Sequence, residues 1–466
     1  MIRVLERRRA AGALLAASVA TALCASGAGT AAAAGTSTAT TRAATPVTVT
    51  VSSAGSGQSG TGFAGFSYEK DRVGAGMFDA HDTNLVSLFR LLGPSVLRLG
   101  GNLVDMVNWN PTGSGGSASQ IAPADVDKLA AFVHATGWKV LYGINLKTNN
   151  SANAASEAAY AAKALGSSLL AFEIGNEVNY YTSESAYEAS YNNYVKAIRA
   201  KVPSAVFDGP GTAGTTSWLT PFGTHERSNA LTILSMHAYI GNNSGATISG
   251  MLASTAPGGV LTNLCSAVGG ARAAGGVAQW RMTEANSYFH GGEPGVSDVQ
   301  AAALWALDFM DDVAAHGGSG VNFHGGTSTQ FPLYYSPIMF SGLNPTGVQA
   351  VYYAELLWSL AGAGTLHSAT VSGASGVTAW GIGANVMLDN KSSATLTATV
   401  HLSGSATRAA AYPLTAPSLT SKSITIAGSG VSVTAAFHPT PQQLTVSGST
   451  VTVTVPAGSA MLIVTG

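Results

Sequence analysis

The chain has 466 residues, of which 46% are hydrophobic and 10% charged, with a formal net charge of -1. Such a length and apolar content sustain a large core and exclude a disordered chain. A net charge this close to zero gives no electrostatic case for nucleic acid or an anionic membrane surface as partner.

Residues 1–34 read as an export signal: Arg3, Arg7, Arg8 and Arg9 form a basic head, an apolar stretch follows, and Ala32 and Ala34 offer a small-residue cleavage site before Gly35. The stretch is too short and too diluted with Ala, Ser and Thr for a membrane anchor, and Leu23 is too bulky to precede a lipidated Cys24. The expected location is therefore extracellular, with no membrane association once the signal is removed. The arginines raise twin-arginine export, but that motif is incomplete. Residues 35–54 read as a leader plus a strand, PVTVTVSS, placed to join a C-terminal β-domain. After signal removal Cys265 stands alone, so no intramolecular disulfide forms, and NLCSAV reads as a buried helix face.

From 55 to 360, apolar β-type runs alternate with helical stretches. The runs are GFAGFSY (62–68), SVLRLGG (95–101), KVLYGINL (139–146), LLAFEIGNE (169–177), AVFDGPG (205–211), LTILSMHAY (231–239), QWRMTEAN (279–286) and GVNFHGG (320–326). Gly137, Gly166 and Gly317 sit where left-handed helix C-caps belong. Continuous apolar strands alternating with helices imply a parallel sheet covered on both faces. Eight units point to a (β/α)8 barrel, with an open doubly wound sheet as the alternative. No glycine-rich phosphate fingerprint follows a strand. Residues 361–466 lose the helical signal and read as a β-sandwich of short Ser/Thr-rich strands, without the aromatic platform of a carbohydrate-binding module.

Function on such a barrel gathers at the C-terminal ends of the strands. There the sequence places Glu69, Arg98, Asn176, Glu177, His237, Tyr239, Glu284, Tyr288 and His324. Two carboxylates on different strands, flanked by Asn, His and Tyr and lacking metal-ligand spacing, suit glycoside hydrolysis without metal or other cofactor. Glu173 and Glu177 share a face of an extended strand, about 13 Å apart at roughly 3.3 Å per residue. Glu177 then sits at the rim, while Glu173 lies deep and needs a partner, for which Arg98 is the candidate. Glu293 and Asp298 read as a loop charge and a helix N-cap.

LRLGG (97–101), FEIGNE (172–177), MHAY (236–239) and RMTEANSY (281–288) resemble glycoside hydrolase family 79, which holds β-glucuronidases and heparanases, within the clan of retaining (β/α)8 glycosidases. The resemblance spans nearly the whole chain. It implies Glu177 as acid/base, Glu284 as nucleophile, Asn176 on the sugar 2-hydroxyl, Tyr239 beside the nucleophile and Glu69 on a sugar hydroxyl. It also implies a tyrosine and backbone N–H groups after strand 8 around a uronate carboxylate. Tyr335 is the candidate, with Tyr334 close behind, and Gly325 and Gly326 permit close approach. The expected activity is a secreted exo-β-glucuronidase acting on a carbohydrate or glycoconjugate. A glycosidase of the same clan acting on a neutral sugar and a non-catalytic carbohydrate-binding barrel are the alternatives. A heparanase-like endo-enzyme is disfavoured, because sulfated chains call for a basic groove and the chain has only 22 Lys plus Arg.

Overall fold

The computed structural model describes residues 43–466. All eight runs are parallel strands: Ala64–Glu69, Val96–Gly100, Lys139–Ile144, Leu169–Ile174, Phe207–Ala213, Leu231–Ala238, Gln279–Ala285 and Val321–His324. They bond in chain order and close where Val321–His324 pairs with Ala64–Ser67, so the sheet is a barrel and not an open doubly wound sheet. Strand parity explains why the sequence closes this way. Along the first strand Phe66 turns outward, its ring 5.0 Å from Phe89 and 5.1 Å from Trp138. The alternate residues Ser67 and Glu69 face the interior, as do Arg98, Glu173 and Thr283 on other strands.

Local signals set the outer helices. Pro123 opens Pro123–Thr136, and Gly137 closes it in the left-handed region at φ 78°. Asn150 caps Ser151–Leu165, and Ser183 caps Glu184–Lys201, by accepting backbone N–H groups. Gly166 also ends a helix, but its ψ of -127° lies outside the left-handed cap expected there. Asp298 is no N-cap, since its helix starts at Gln300. Its carboxylate instead accepts the Gly295 N–H at 2.7 Å and pairs with Lys422. Cys265 is buried on the helix Val260–Gly275.

The C-terminal strands form one eleven-stranded sheet that curls around a second apolar core including Val49, Leu388, Val400, Val453 and Ile463. The early strand Thr45–Ser59 lies inside this sheet. It is antiparallel to Gly364–Ser372 on one side and parallel to Leu396–His401 on the other. Barrel and sheet are joined by polar contacts as well as apolar ones. Lys391 Nζ donates to Asp308 at 2.6 Å, and the Gln300 amide donates to the carbonyls of Leu414 and Gly458. The export signal predicted over 1–34 lies outside the described residues. Among the described residues, no helix is long and apolar enough to cross a membrane.

Candidate active site

The fourth strand stops at Ile174, and the chain then breaks its extended course. Gly175 has φ 82°, and Glu177 itself sits in the left-handed region at φ 47°. A non-glycine residue held there stores backbone strain, which surrounding contacts must fix. Here the Glu177 N–H donates to Gly211 O at 3.0 Å. The extended-strand spacing assumed between Glu173 and Glu177 therefore does not apply, because the chain leaves the strand between them.

Arg98 organises what lies beneath. Wholly buried, it donates from Nε to Glu173 Oε2 at 2.6 Å, from Nη1 to Glu284 Oε2 at 2.6 Å, and from Nη2 to Asn176 Oδ1 at 2.8 Å. Nη2 also lies 3.2 Å from His237 Nε2. A guanidinium only donates, so Nε2 accepts, and the imidazole proton belongs on Nδ1, 3.1 Å from Glu177 Oε1. Tyr239 donates its hydroxyl to Glu284 Oε1 at 2.9 Å. Glu173 takes a second hydrogen bond from Thr283 at 3.1 Å, so this deep carboxylate is satisfied by two partners.

These groups border a cavity of about 430 Å³ lined by Glu69, Glu177, His237, Tyr239, Glu284 and Tyr335, among others. Asn176 lies just behind that lining, with its amide nitrogen donating to Asn102 Oδ1 at 3.3 Å. Burial alone would raise the pKa of Glu284. The neighbouring His324, His237 and Arg98 and the Tyr239 hydrogen bond outweigh it and hold Glu284 well below the usual carboxylate range. Burial also lowers the pKa of His324, which leaves Arg98 as the lasting cation against Glu284 at neutral pH. Glu69 is the opposite case. Burial first, and the charge of Glu284 second, push it up to about 8, so it is largely protonated at neutral pH and available as a donor.

Atoms of Glu177, His237 and Glu284 lie within 4.8 Å of one another, a spacing that would admit a metal ion. The Arg98 guanidinium already supplies the positive charge there and occupies His237 Nε2, so the donor set fits a carboxylate pair better than a metal centre.

Other expected residues fall elsewhere. Tyr288 is buried, with its hydroxyl donating to Thr247 O at 3.2 Å, and it does not line the cavity. Tyr334 is half-buried and also outside the lining. The Gly325 N–H donates to Ser67 O at 2.9 Å and the Gly326 N–H to Ser336 Oγ at 3.0 Å, so neither is free for an anion. Gly326, at φ 96°, instead lets the chain pass the Tyr68 ring, which an added Cβ would meet at 2.4 Å. Among the lining residues that escaped the sequence reading are Arg72 and Tyr180. Arg72 is clamped by Asp71 and donates to Thr327 Oγ1 at 2.7 Å. Tyr180 stands exposed at the mouth. The charge-rich YEKDR in a chain poor in charge was the available signal for Arg72.

No family model matches the chain. Over 319 residues it is 26% identical to a β-glucuronidase of Aspergillus niger, a match covering 56% of this chain and 56% of that protein. The chain thus spans about half the length of the curated relative it matches. Among solved structures it is similar to a 4-O-α-L-rhamnosyl-β-D-glucuronidase from Fusarium oxysporum, with TM-score 0.74 and 21% identity over 89% of this chain and 99% of that one. It is also similar to a family 51 α-L-arabinofuranosidase from Bifidobacterium longum, with TM-score 0.67 and 16% identity over 90% and 99% of the two chains. The chain therefore shares, across barrel and sheet together, the fold of these (β/α)8 glycosidases.

Proposed function

We propose that the protein is an exported, retaining β-glycosidase that removes terminal β-glucuronic acid from a carbohydrate or glycoconjugate. The observation that carries the proposal is the spacing of Glu177 and Glu284, whose carboxylate oxygens approach within 4.8 Å. Retaining enzymes place the two carboxyl groups about 5–5.5 Å apart, while inverting ones leave roughly 6.5–9.5 Å for a water.

In the first step Glu284, kept ionised by Arg98, attacks the anomeric carbon. Glu177 gives its proton to the glycosidic oxygen, the aglycone leaves as an alcohol, and a glycosyl ester of Glu284 remains. In the second step Glu177, now a carboxylate, takes a proton from water, the hydroxide attacks the same carbon, and the ester bond breaks to release the sugar and restore Glu284. The His237 N–H on Oε1 leaves Oε2 of Glu177 as the oxygen that carries the transferred proton.

The glucuronide assignment draws on the names of the Aspergillus and Fusarium relatives and on two groups of the cavity. Tyr335 is buried with its ring 6.2 Å from that of Tyr239, and Arg72 supplies a guanidinium in the same lining. A site built to hold a carboxylate rejects the neutral analogue, because its donors lose their charged partner. A panel of nitrophenyl glycosides tests this. The expected result is a far higher kcat/KM on the β-glucuronide than on the β-glucoside, with proton NMR showing β sugar as the first product. Comparable rates on the two sugars would refute the uronate assignment, and an initial α product would refute retention.

A further inference from the structure

Tyr180 is 71% exposed although it lines the catalytic cavity. An apolar ring left bare at the mouth of a site has no packing role to explain it. Its backbone is nevertheless tied down. Tyr180 ends the short turn Val178–Tyr180, which begins directly after Glu177, and its N–H donates to Glu177 O at 3.0 Å. The Asn179 side chain ties this turn to the next barrel loop twice, donating to Ala213 O at 3.0 Å and accepting the Ala213 N–H at 3.1 Å. The same lining includes Ala213, to which Asn179 is bonded, and Gly214, where an added Cβ would meet nothing within 4 Å. An exposed aromatic face, carried by a tied backbone directly after Glu177, therefore borders the cavity on the Glu177 side.

That side has a chemical meaning. The group that protonates the glycosidic oxygen stands next to the leaving group, so whatever is attached to that oxygen extends past Glu177. We propose that Tyr180 is the platform for the aglycone, and that the preferred aglycone is a neutral six-membered ring whose flat face stacks on it, a hexopyranose or an arene. Neutrality follows from the task of Glu177, since an anion beside it would oppose the loss of its proton to the glycosidic oxygen. The hydroxyl of Tyr180 is raised in pKa by burial and then by the charge of Glu177, so it stays protonated and able to donate to a ring hydroxyl.

The inference rests on Glu177 being the acid, and its test separates the two claims. Wild type and Tyr180→Ala are compared on methyl, hexosyl and nitrophenyl β-glucuronides, each variant rate being divided by the wild-type rate on the same substrate so that leaving-group reactivity cancels. The expected loss in kcat/KM is about tenfold greater on a ring aglycone than on the methyl glycoside, the size of one aromatic stacking contact. Tyr180→Phe recovers most of that difference. The larger loss identifies the ring, on the hexoside a sugar and on the nitrophenyl glycoside an arene. Equal losses on all three substrates, or none, overturn the platform. If the wild type ignores glucuronides but cleaves glucosides, the uronate assignment fails alone, and the same three aglycones on glucose test Tyr180. A chain that cleaves no glycoside overturns both.

Discussion

Arg98 Nη1 stands 2.6 Å from Glu284 Oε2 with the guanidinium wholly out of solvent, so a permanent cation is built against the proposed nucleophile. Arg98→Gln removes the charge that opposes the burial of Glu284. The acid limb of the kcat/KM profile should then move up by about one pH unit or more, since each unit corresponds to only about 1.4 kcal/mol. The variant also leaves Glu173 buried without its cation, at a cost of about 3–5 kcal/mol. Arg98→Gln with Glu173→Gln should restore the melting temperature but not the pH profile. An acid limb that stays in place in both variants would show that Arg98 serves folding only.

Glu284→Gln should lower turnover by about 10⁴-fold or more, because an amide cannot form the glycosyl ester. A mechanism-based fluorosugar should label Glu284 in the unaltered protein, read by peptide mass spectrometry. Label on Glu173 or Glu293 would move the nucleophile elsewhere.

Glu177→Ala should damage substrates with poor leaving groups about 10²–10⁴-fold and activated ones much less, since only the former need a proton. Azide should restore the rate on activated substrates by attacking the glycosyl ester from the space the carboxylate vacates, giving a β-glycosyl azide. Equal damage to both substrate types, with no azide product, would remove Glu177 from its role.

Glu69 makes a prediction about stability and pH. Its folded pKa is raised from the ordinary 4.5 to about 8, so between those values the folded state binds a proton that the unfolded chain has lost. Its contribution is full below pH 4.5 and is lost as pH rises through about 8. Asp389, also pushed up to about 8, and Asp312, pushed up to about 7, act in the same direction. Glu284 acts oppositely, stabilising above its ordinary range and losing that contribution as acid protonates it. The melting temperature should therefore fall between pH 5 and 8. Glu69→Gln should flatten part of that fall without moving the acid side, as scanning calorimetry across pH would show.

The barrel was legible because each strand is a continuous apolar run ending in glycine or a polar residue, a pattern that local sequence carries by itself. Glu177, Glu284, His237 and Tyr239 were legible as a group because they all follow such runs, and the structure places them around one cavity. Conformation at single residues was not. Nothing in FEIGNE announces that Glu177 takes a left-handed backbone and leaves the strand. Gly325 and Gly326 looked like free donors, yet their N–H groups meet Ser67 and Ser336, the second of these ten residues further along the chain. Tyr288 has the composition of a site residue, but its hydroxyl is claimed by Thr247, which only the tertiary fold brings near. Arg72 was hidden for the same reason, since its partner Thr327 lies at the far end of the barrel sequence.

The strand Thr45–Ser59 has a consequence for how the protein comes into being. Its parallel partner Leu396–His401, in register from Thr45 opposite Leu396, is made roughly 350 residues later. Until Leu396–His401 has been made, that first strand keeps one Thr/Val-rich edge without its partner even after Gly364–Ser372 has paired on the other side, the kind of edge that pairs with other chains. A polypeptide halted before Leu396 should therefore be prone to aggregate even with its barrel complete, and the ribosome must finish before this part of the molecule can close.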